Sequence, residues 1–163
     1  IDTGLFDVVQ TAFNYSLLWQ EARYELFPNA KKHGMGIICS APLQQGSLAV
    51  RHDDLIAGGA PWISKPRKEQ FKALYSFLDE IGMSIVELAL RFVLSNNDVD
   101  CVLVGAKNKK EITETIAYSE KGALPEDILK RIEEIYMMVP FRPTLEPILL
   151  PWGNERPPIG WIV

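Results

Sequence analysis

Three short apolar runs punctuate the chain, and none of them alternates: Phe6-Asp7-Val8-Val9-Gln10, Gly36-Ile37-Ile38-Cys39-Ser40, and Asp100 to Val104. Continuous β-branched runs of this length suit strands of a parallel sheet buried on both faces. The segments between them follow the helical period. From Gln20 to His33, Ala22, Leu26, Phe27 and Ala30 share one face, Gly34 is the stop, and Pro28 marks a point for a kink. From Pro66 to Ile81, Phe71, Leu74, Tyr75 and Leu78 form a stripe that ends at Gly82. Ser84-Ile85-Val86-Glu87 and Asn108-Lys109-Lys110-Glu111 each read as a capping box, opening helices that run to about Ser95 and about Lys121. Pro125 predicts the first turn of a last helix, through about Met138.

The order strand, helix, strand, two helices, strand, two helices predicts an α/β fold with a parallel sheet and right-handed crossovers. Three parallel strands and about five helices leave two sheet edges unpaired, so the pattern fits either a small open domain or part of a larger closed sheet. The position of one turn favours the second. Cys101 to Glu114, CVLVGAKNKKEITE, is an apolar run that breaks at Gly105 and continues as a charged helix, the shape of a phosphate cradle. In a (β/α)₈ TIM barrel such sites come from the last two strand-to-helix loops. The cradle comes late in the chain because the chain reads as the C-terminal part of such a barrel, not closed on its own. Neither a GxGxxG nor a GxxxxGK[ST] fingerprint is present.

Two further segments carry no regular period. Pro42 to Ser64, with Gly58-Gly59-Ala60-Pro61 inside it, is a long excursion at a strand's C-terminal end, where α/β folds carry function. Residues 140–163 hold six of the eleven prolines and so cannot be helical, yet Phe141, Leu145, Ile148, Leu149, Trp152 and Trp161 keep the segment apolar. It reads as an irregular arm packing across a surface, distinct from the barrel part at 1–139.

Composition narrows the function classes. The 163 residues make about one domain, with 47% apolar and 23% charged positions. A net charge of −4 without a basic block argues against a nucleic-acid partner. No apolar run approaches the length of a membrane span. Cys39 and Cys101, each inside an apolar run, read as buried reduced thiols, which suits a reducing cytoplasm. His33 and His52 lack metal-ligand spacing, and His33 falls at a helix C-terminus, where positive charge is favourable in any case. No signal peptide precedes the first strand-like run, and the opening Ile1-Asp2-Thr3-Gly4 suggests a piece of something longer.

Three collinear stretches resemble the C-terminal half of the aldo-keto reductase family. FDVVQTAFNYSLL (6–18) resembles the family's sixth strand and the loop after it. LFPNAKKHGMGIICSAPLQQGSL (26–48) resembles helix six, strand seven and the Pro-Leu-x-x-Gly loop. SIVELALRFVLSNNDVDCVLVGAKNKKEI (84–112) resembles helix seven, strand eight and the cofactor helix. The likeness covers roughly residues 4–138. The tail LEPILLPWGNERPPIG is similar, more loosely, to the ending of the galactose and aldose dehydrogenase branch.

The resemblance implies an oxidoreductase that moves a hydride between NAD or NADP and a small carbonyl, aldose or alcohol, and it implies a site. Gln10 matches the glutamine that holds the nicotinamide carboxamide, a role suited to an amide that both donates and accepts. Ser40 matches the position where many members stack a tyrosine on the nicotinamide, which a serine cannot do. Ala41, Pro42, Leu43, Gln45 and Gly46 match the loop over the pyrophosphate. Gly105, Ala106, Lys107 and Asn108 match the turn at the adenosine phosphate end, where close backbone approach and a helix N-terminus favour an anion. Glu111 stands where NADP-using members often place an arginine, and a carboxylate there would repel a 2′-phosphate. Thr115 stands where an adenine-binding asparagine is common, and Glu114 keeps its partner position. These departures favour NAD. The family's catalytic Tyr, Lys, Asp and His come from the first half of the barrel, and none has a matching position here. The resemblance therefore implies that the chain alone is inactive. A non-enzymatic half-barrel that pairs through its open edges is the competing expectation.

Overall fold

The middle apolar run forms the strand expected of it. In the computed structural model, which describes residues 1–58, 63–144 and 146, β2 is Gly36–Ser40. It is flanked in parallel by β1, Val8–Ala12, and β3, Cys101–Leu103, in the order β1-β2-β3. β1 begins two residues later than the run from Phe6 suggests. Its register starts where β2 starts, with Val8 opposite Gly36, and the preceding Phe6 lies 67% exposed. Gln10 is thereby an interior strand residue. β3 is short because Asp100 meets β2 partly through its side chain: Ile37 N–H donates to Asp100 Oδ2 at 2.8 Å.

Burial on both faces, expected from the unbroken runs, does not hold. The pleat sends Thr11, Ile37 and Cys39 to a buried face, with Val9 and Val102 partly buried against the same core. Val8, Gln10, Cys101 and Leu103 occupy the other face and are exposed, Val8 at 50% and Leu103 at 46%. An apolar pleat with one bare face is what an opened barrel wall looks like, since a barrel carries all its helices outside and a doubly wound sheet carries them on both sides. The described chain is thus an open, partial barrel. The same geometry corrects the reading of the thiols: Cys39 is buried, while Cys101 is exposed on the bare face.

The described residues form six α-helices, one more than expected, and all but Lys109–Glu120 place buried residues in the core. A 3₁₀ turn at Glu21–Arg23 leads to α1, Leu26–Lys32, shorter than the periodicity over 20–33 predicts. Its first helical bond runs from Asn29 N–H to the Glu25 carbonyl, which puts Pro28 in the first turn, where no N–H is required and no kink follows. α2, Asp53–Gly58, lies inside the excursion after β2. α3, Lys65–Ile81, starts at an N-cap Ser64 and stops at Gly82, whose φ of 62° favours glycine. α4, Ile85–Leu94, and α5, Lys109–Glu120, follow their serine and asparagine caps. α6, Glu126–Tyr136, has Pro125 as its N-cap instead of inside its first turn.

The core lies between the covered sheet face and these helices. It holds Phe27, Ile37, Phe71, Leu74 and Leu88, together with Leu17, Leu18 and Trp19 from the loop after β1. Each such side chain contributes about 1.5–3 kcal/mol on burial, so this loop is tied down by its own apolar residues. The Gly59-Ala60-Pro61 part of the excursion lies outside the described residues. So does most of the segment from residue 140, with Trp152 and Trp161.

Candidate functional site

Parallel strands put all their C-terminal ends on one rim, so the loops after β1, β2 and β3 meet there. Gln10 and Ser40 sit diagonally across the β1–β2 ladder on the bare face. Gln10 Nε2 donates to Ser40 Oγ at 3.0 Å, and Ser40 Oγ donates to the Thr11 carbonyl at 3.0 Å. The serine thus orients the glutamine amide instead of offering a ring to stack on. Gln10 lies exposed on the bare face with its amide nitrogen held by Ser40.

The loop after β2 departs from ordinary backbone geometry. Ala41, Gln44 and Gln45 have φ of 56°, 46° and 51°, and Gly46 has 102°. Left-handed conformations cost non-glycine residues about 1–3 kcal/mol and persist where surrounding contacts over-determine them. Here Gln44 supplies those contacts. It is 2% exposed, and its Nε2 donates to the Phe13 carbonyl at 2.9 Å and to Ser16 Oγ at 3.2 Å. Ser47 Oγ donates to the Gln44 carbonyl at 3.0 Å, and His52 Nε2 lies 3.1 Å from the Gly46 carbonyl. Pro42 is buried, Leu43 is partly buried, and Gln45 is exposed.

The loop after β3 is simpler. Gly105 and Ala106 are exposed, and a Cβ on Gly105 would meet no atom. Neither a positive φ nor internal crowding demands a glycine there. Asn108 Oδ1 accepts from Glu111 N–H at 3.0 Å, and Asn108 Nδ2 donates to Glu111 Oε1 at 3.0 Å. Glu111 Oε2 accepts the N–H of Lys107, the residue before the N-cap, at 2.7 Å, so the return bond of the box lands one residue early and a carboxylate already sits on the N-terminus of α5. The Ser84 box closes only halfway. Ser84 Oγ accepts from Glu87 N–H at 3.1 Å, but the Glu87 carboxylate turns to Arg91 and Lys121. Thr115 Oγ1 donates back to the Glu111 carbonyl at 2.8 Å, and Glu114 makes an exposed pair with Lys110 at 3.8 Å, which contributes little.

The structure therefore brings Gln10, Ser40 and Ala41 together at one end of the rim, and Lys107, Asn108, Glu111 and Thr115 together at the other. Among the described residues no hydrogen bond joins the two groups. An open hollow of about 280 Å³ lined by Lys31, Gly34, Met35, Gly36 and Asp100 lies at the opposite, N-terminal end of the sheet. Among the described residues no cluster of His, Cys, Asp and Glu could hold a metal ion, and no helix is long and apolar enough to cross a membrane.

Residues that the sequence patterns passed over pack behind these loops. Phe13, one position beyond β1, has φ of 64°, and its carbonyl accepts from both Gln44 and Arg142. Arg142 in turn joins a buried group of Arg67 and Glu146, paired at 2.8 Å, to which Trp19 Nε1 donates at 2.7 Å. One signal pointed there. Arg67 and Gln70 continue the Phe71-Leu74 stripe of α3 toward its N-terminus, and polar residues on an apolar stripe imply buried partners.

Comparison with known proteins bears on the same elements. Residues 2–137 match the model of the aldo/keto reductase family. An aldo-keto reductase of Pseudocercospora fijiensis is 27% identical over 82% of this chain and 51% of its own length. L-Galactose dehydrogenase of Arabidopsis thaliana is 26% identical over 83% of this chain and 42% of its own length. A protein of the same plant named "probable voltage-gated potassium channel subunit beta" is 26% identical over 73% of this chain and 40% of its own length. The chain spans about half, or less, of the length of these relatives.

Proposed function

Since this chain belongs to the aldo/keto reductase family, we propose that it is the dinucleotide-binding half of an NAD(P)-dependent oxidoreductase acting on a small carbonyl, aldose or alcohol. The observation that carries the reading is the bare sheet face: a polar amide, Gln10, held by Ser40 among apolar neighbours at the C-terminal rim of a parallel sheet. The residues fit a dinucleotide. Gln10 would hold the nicotinamide amide through its free acceptor. The left-handed loop Ala41–Gly46 would lie along the diphosphate, and the open space at Gly105 would admit the adenosine end. When bound, the nicotinamide supplies a hydride to the carbonyl carbon while the carbonyl oxygen takes a proton, leaving an alcohol and the oxidised cofactor. The proton donor would come from outside these residues, and we assign none of their side chains a catalytic role. The branch that oxidises galactose and related aldoses is the favoured source of substrate, by likeness to the plant L-galactose dehydrogenase.

Glu111 argues for NAD over NADP. Its carboxylate occupies the α5 N-terminus that a 2′-phosphate would need, and two anions there repel. The test is equilibrium binding of NADH and NADPH, followed by quenching of protein fluorescence, on the protein expressed from its complete reading frame. NADH should bind tighter by about tenfold, equivalent to roughly 1.4 kcal/mol, and Glu111→Arg should erase or reverse the difference. Tighter NADPH binding by the unsubstituted protein would overturn the cofactor assignment.

A second reading has one observation in its favour. Both edges of the three-stranded sheet are unpaired among the described residues, and a relative is named as a channel subunit. A non-enzymatic half-barrel that associates with another half would use those edges. Sedimentation of the 163-residue chain decides it, since a monomer at micromolar concentration removes the pairing.

A further inference from the structure

The loop after β1 begins with a phenylalanine in a conformation that phenylalanine avoids. Phe13, three residues past Gln10, has φ of 64°. Its carbonyl is gripped twice, by Gln44 Nε2 at 2.9 Å from the loop after β2 and by Arg142 Nη2 at 3.0 Å from the segment beyond α6. A strained residue held from two sides is over-determined, and such sites mark geometry that is kept for a purpose.

The grip of Arg142 is itself anchored deep in the core. Its Nη1 lies 3.5 Å from Glu146 Oε1, its backbone N–H donates to Glu21 Oε1 at 3.1 Å, and its guanidinium stacks 5.3 Å from the Trp19 ring. Glu146 takes further bonds from Arg67 Nε at 2.8 Å and Trp19 Nε1 at 2.7 Å. Arg67, 1% exposed, also donates to the Leu18 carbonyl at 3.0 Å and to Gln70, which binds the Ile135 and Tyr136 carbonyls. One buried network thus connects α3, the end of α6, the segment beyond it and the loop after β1. Buried charges of this kind add little net stability over well-packed apolar groups, and their best-attested use is to specify one geometry.

We propose that Arg142 is a positioning residue: anchored on the buried Glu146–Arg67 pair, it holds the loop after β1 in the left-handed turn at Phe13 and so sets the substrate side of the mouth beside Gln10. The proposal rests on the dinucleotide-dependent activity inferred above and adds to it a residue outside the proposed dinucleotide contacts. Arg142 spans two acceptors that diverge, the Phe13 carbonyl and the Glu146 carboxylate. A lysine keeps the charge, but its compact ammonium lacks the planar fork that places Nη1 and Nη2 on the two acceptors, so it should not reproduce both contacts.

The test compares Arg142→Gln and Arg142→Lys with the unsubstituted protein, each expressed from its complete reading frame, with NADH as cofactor and 4-nitrobenzaldehyde as probe carbonyl. Three quantities are read: KM for the aldehyde, Kd for NADH, and hydrogen exchange at the Ser16 and Ala22 amides, which bond within the loop to the Trp19 and Asn14 carbonyls. Both variants should raise KM about tenfold and speed exchange at the two amides, with Kd for NADH changed less than about twofold. Rescue of KM by Arg142→Lys would reduce the residue to a charge and overturn the proposal. Faster exchange with KM unchanged would leave Arg142 a purely structural residue and overturn it as well, as would unchanged exchange in both variants. If the unsubstituted protein binds no dinucleotide, the functional reading fails, and the exchange data alone then decide whether Arg142 holds the loop.

Discussion

His52 is half-buried in the excursion after β2, with its Nε2 3.1 Å from the Gly46 carbonyl and its backbone N–H donating to Tyr75 Oη at 3.0 Å. Burial pushes its pKa down from the ordinary value, and the Gly46 carbonyl and the neighbouring Asp53 offset only part of that. The unfolded chain therefore takes up a proton at higher pH than the folded one. Stability from this group is fully present above the unfolded pKa, near 6.5, and is lost as pH falls toward the folded value. Thermal unfolding between about pH 7 and pH 5 should show a fall in Tm that is smaller in His52→Ala, and an identical slope in that variant would remove His52 from the account. Glu146 gives a larger effect. Glu146→Ala leaves the 1%-exposed Arg67 without its carboxylate and should cost about 3–5 kcal/mol in urea unfolding, whereas loss of an exposed pair such as Lys110–Glu114 should cost under about 1 kcal/mol. Neither the histidine's role nor the left-handed turn at Phe13 was legible in the sequence. Each contact runs through a backbone carbonyl, that of Gly46 for the histidine and that of Phe13 itself for the turn, and no side-chain spacing encodes it.

At the scale of elements, the caps were the most legible feature. Ser84 and Asn108 sit where their boxes place them, and Gly82 ends α3 in the left-handed conformation that glycine alone adopts freely. Asn108→Ala should destabilise the protein by about 1 kcal/mol. It should also free Glu111 from one of its two partners at that helix start, so a difference in NADH affinity accompanying the change in stability would tie the cap to the cofactor site. The strands were less legible at their ends. Phe6 and Val104 extend the apolar runs but not the ladder, because register is fixed by β2, and β2 is five residues long. The helix at Asp53–Gly58 escaped notice because the surrounding prolines and glycines mark the whole stretch as loop.

At the scale of the molecule, the family resemblance and the open sheet say the same thing from different sides. The family model ends its match at residue 137, and the relatives are about twice as long as the portion matched here. The sheet presents Val8, Gln10, Cys101 and Leu103 on an uncovered face, a cost in exposed apolar area that a completed barrel removes. We expect residues 1–163 alone to reduce no carbonyl above the background of free NADH, because general acid–base assistance commonly contributes about 10²–10⁴-fold and we assign that role to no side chain among the described residues. The fold class was readable because three parallel strands in this order have few topologies open to them. The one-sidedness of the sheet was not, since Val8-Val9 and Ile37-Ile38 are apolar on both faces and the pattern cannot distinguish a lumen from a helix layer.

The bare face can be read directly through Cys101. It shares that face with Gln10, while Cys39 in the adjacent strand points into the core, where burial pushes its thiol up to about 12. Alkylation by iodoacetamide, followed peptide by peptide in a mass spectrometer, should label Cys101 rapidly in the isolated 163-residue chain and at least about 100-fold more slowly in the protein from its complete reading frame, with Cys39 slow in both. Equal, rapid labelling of Cys101 in the two proteins would mean that the face stays open to solvent and is not the interior of a barrel.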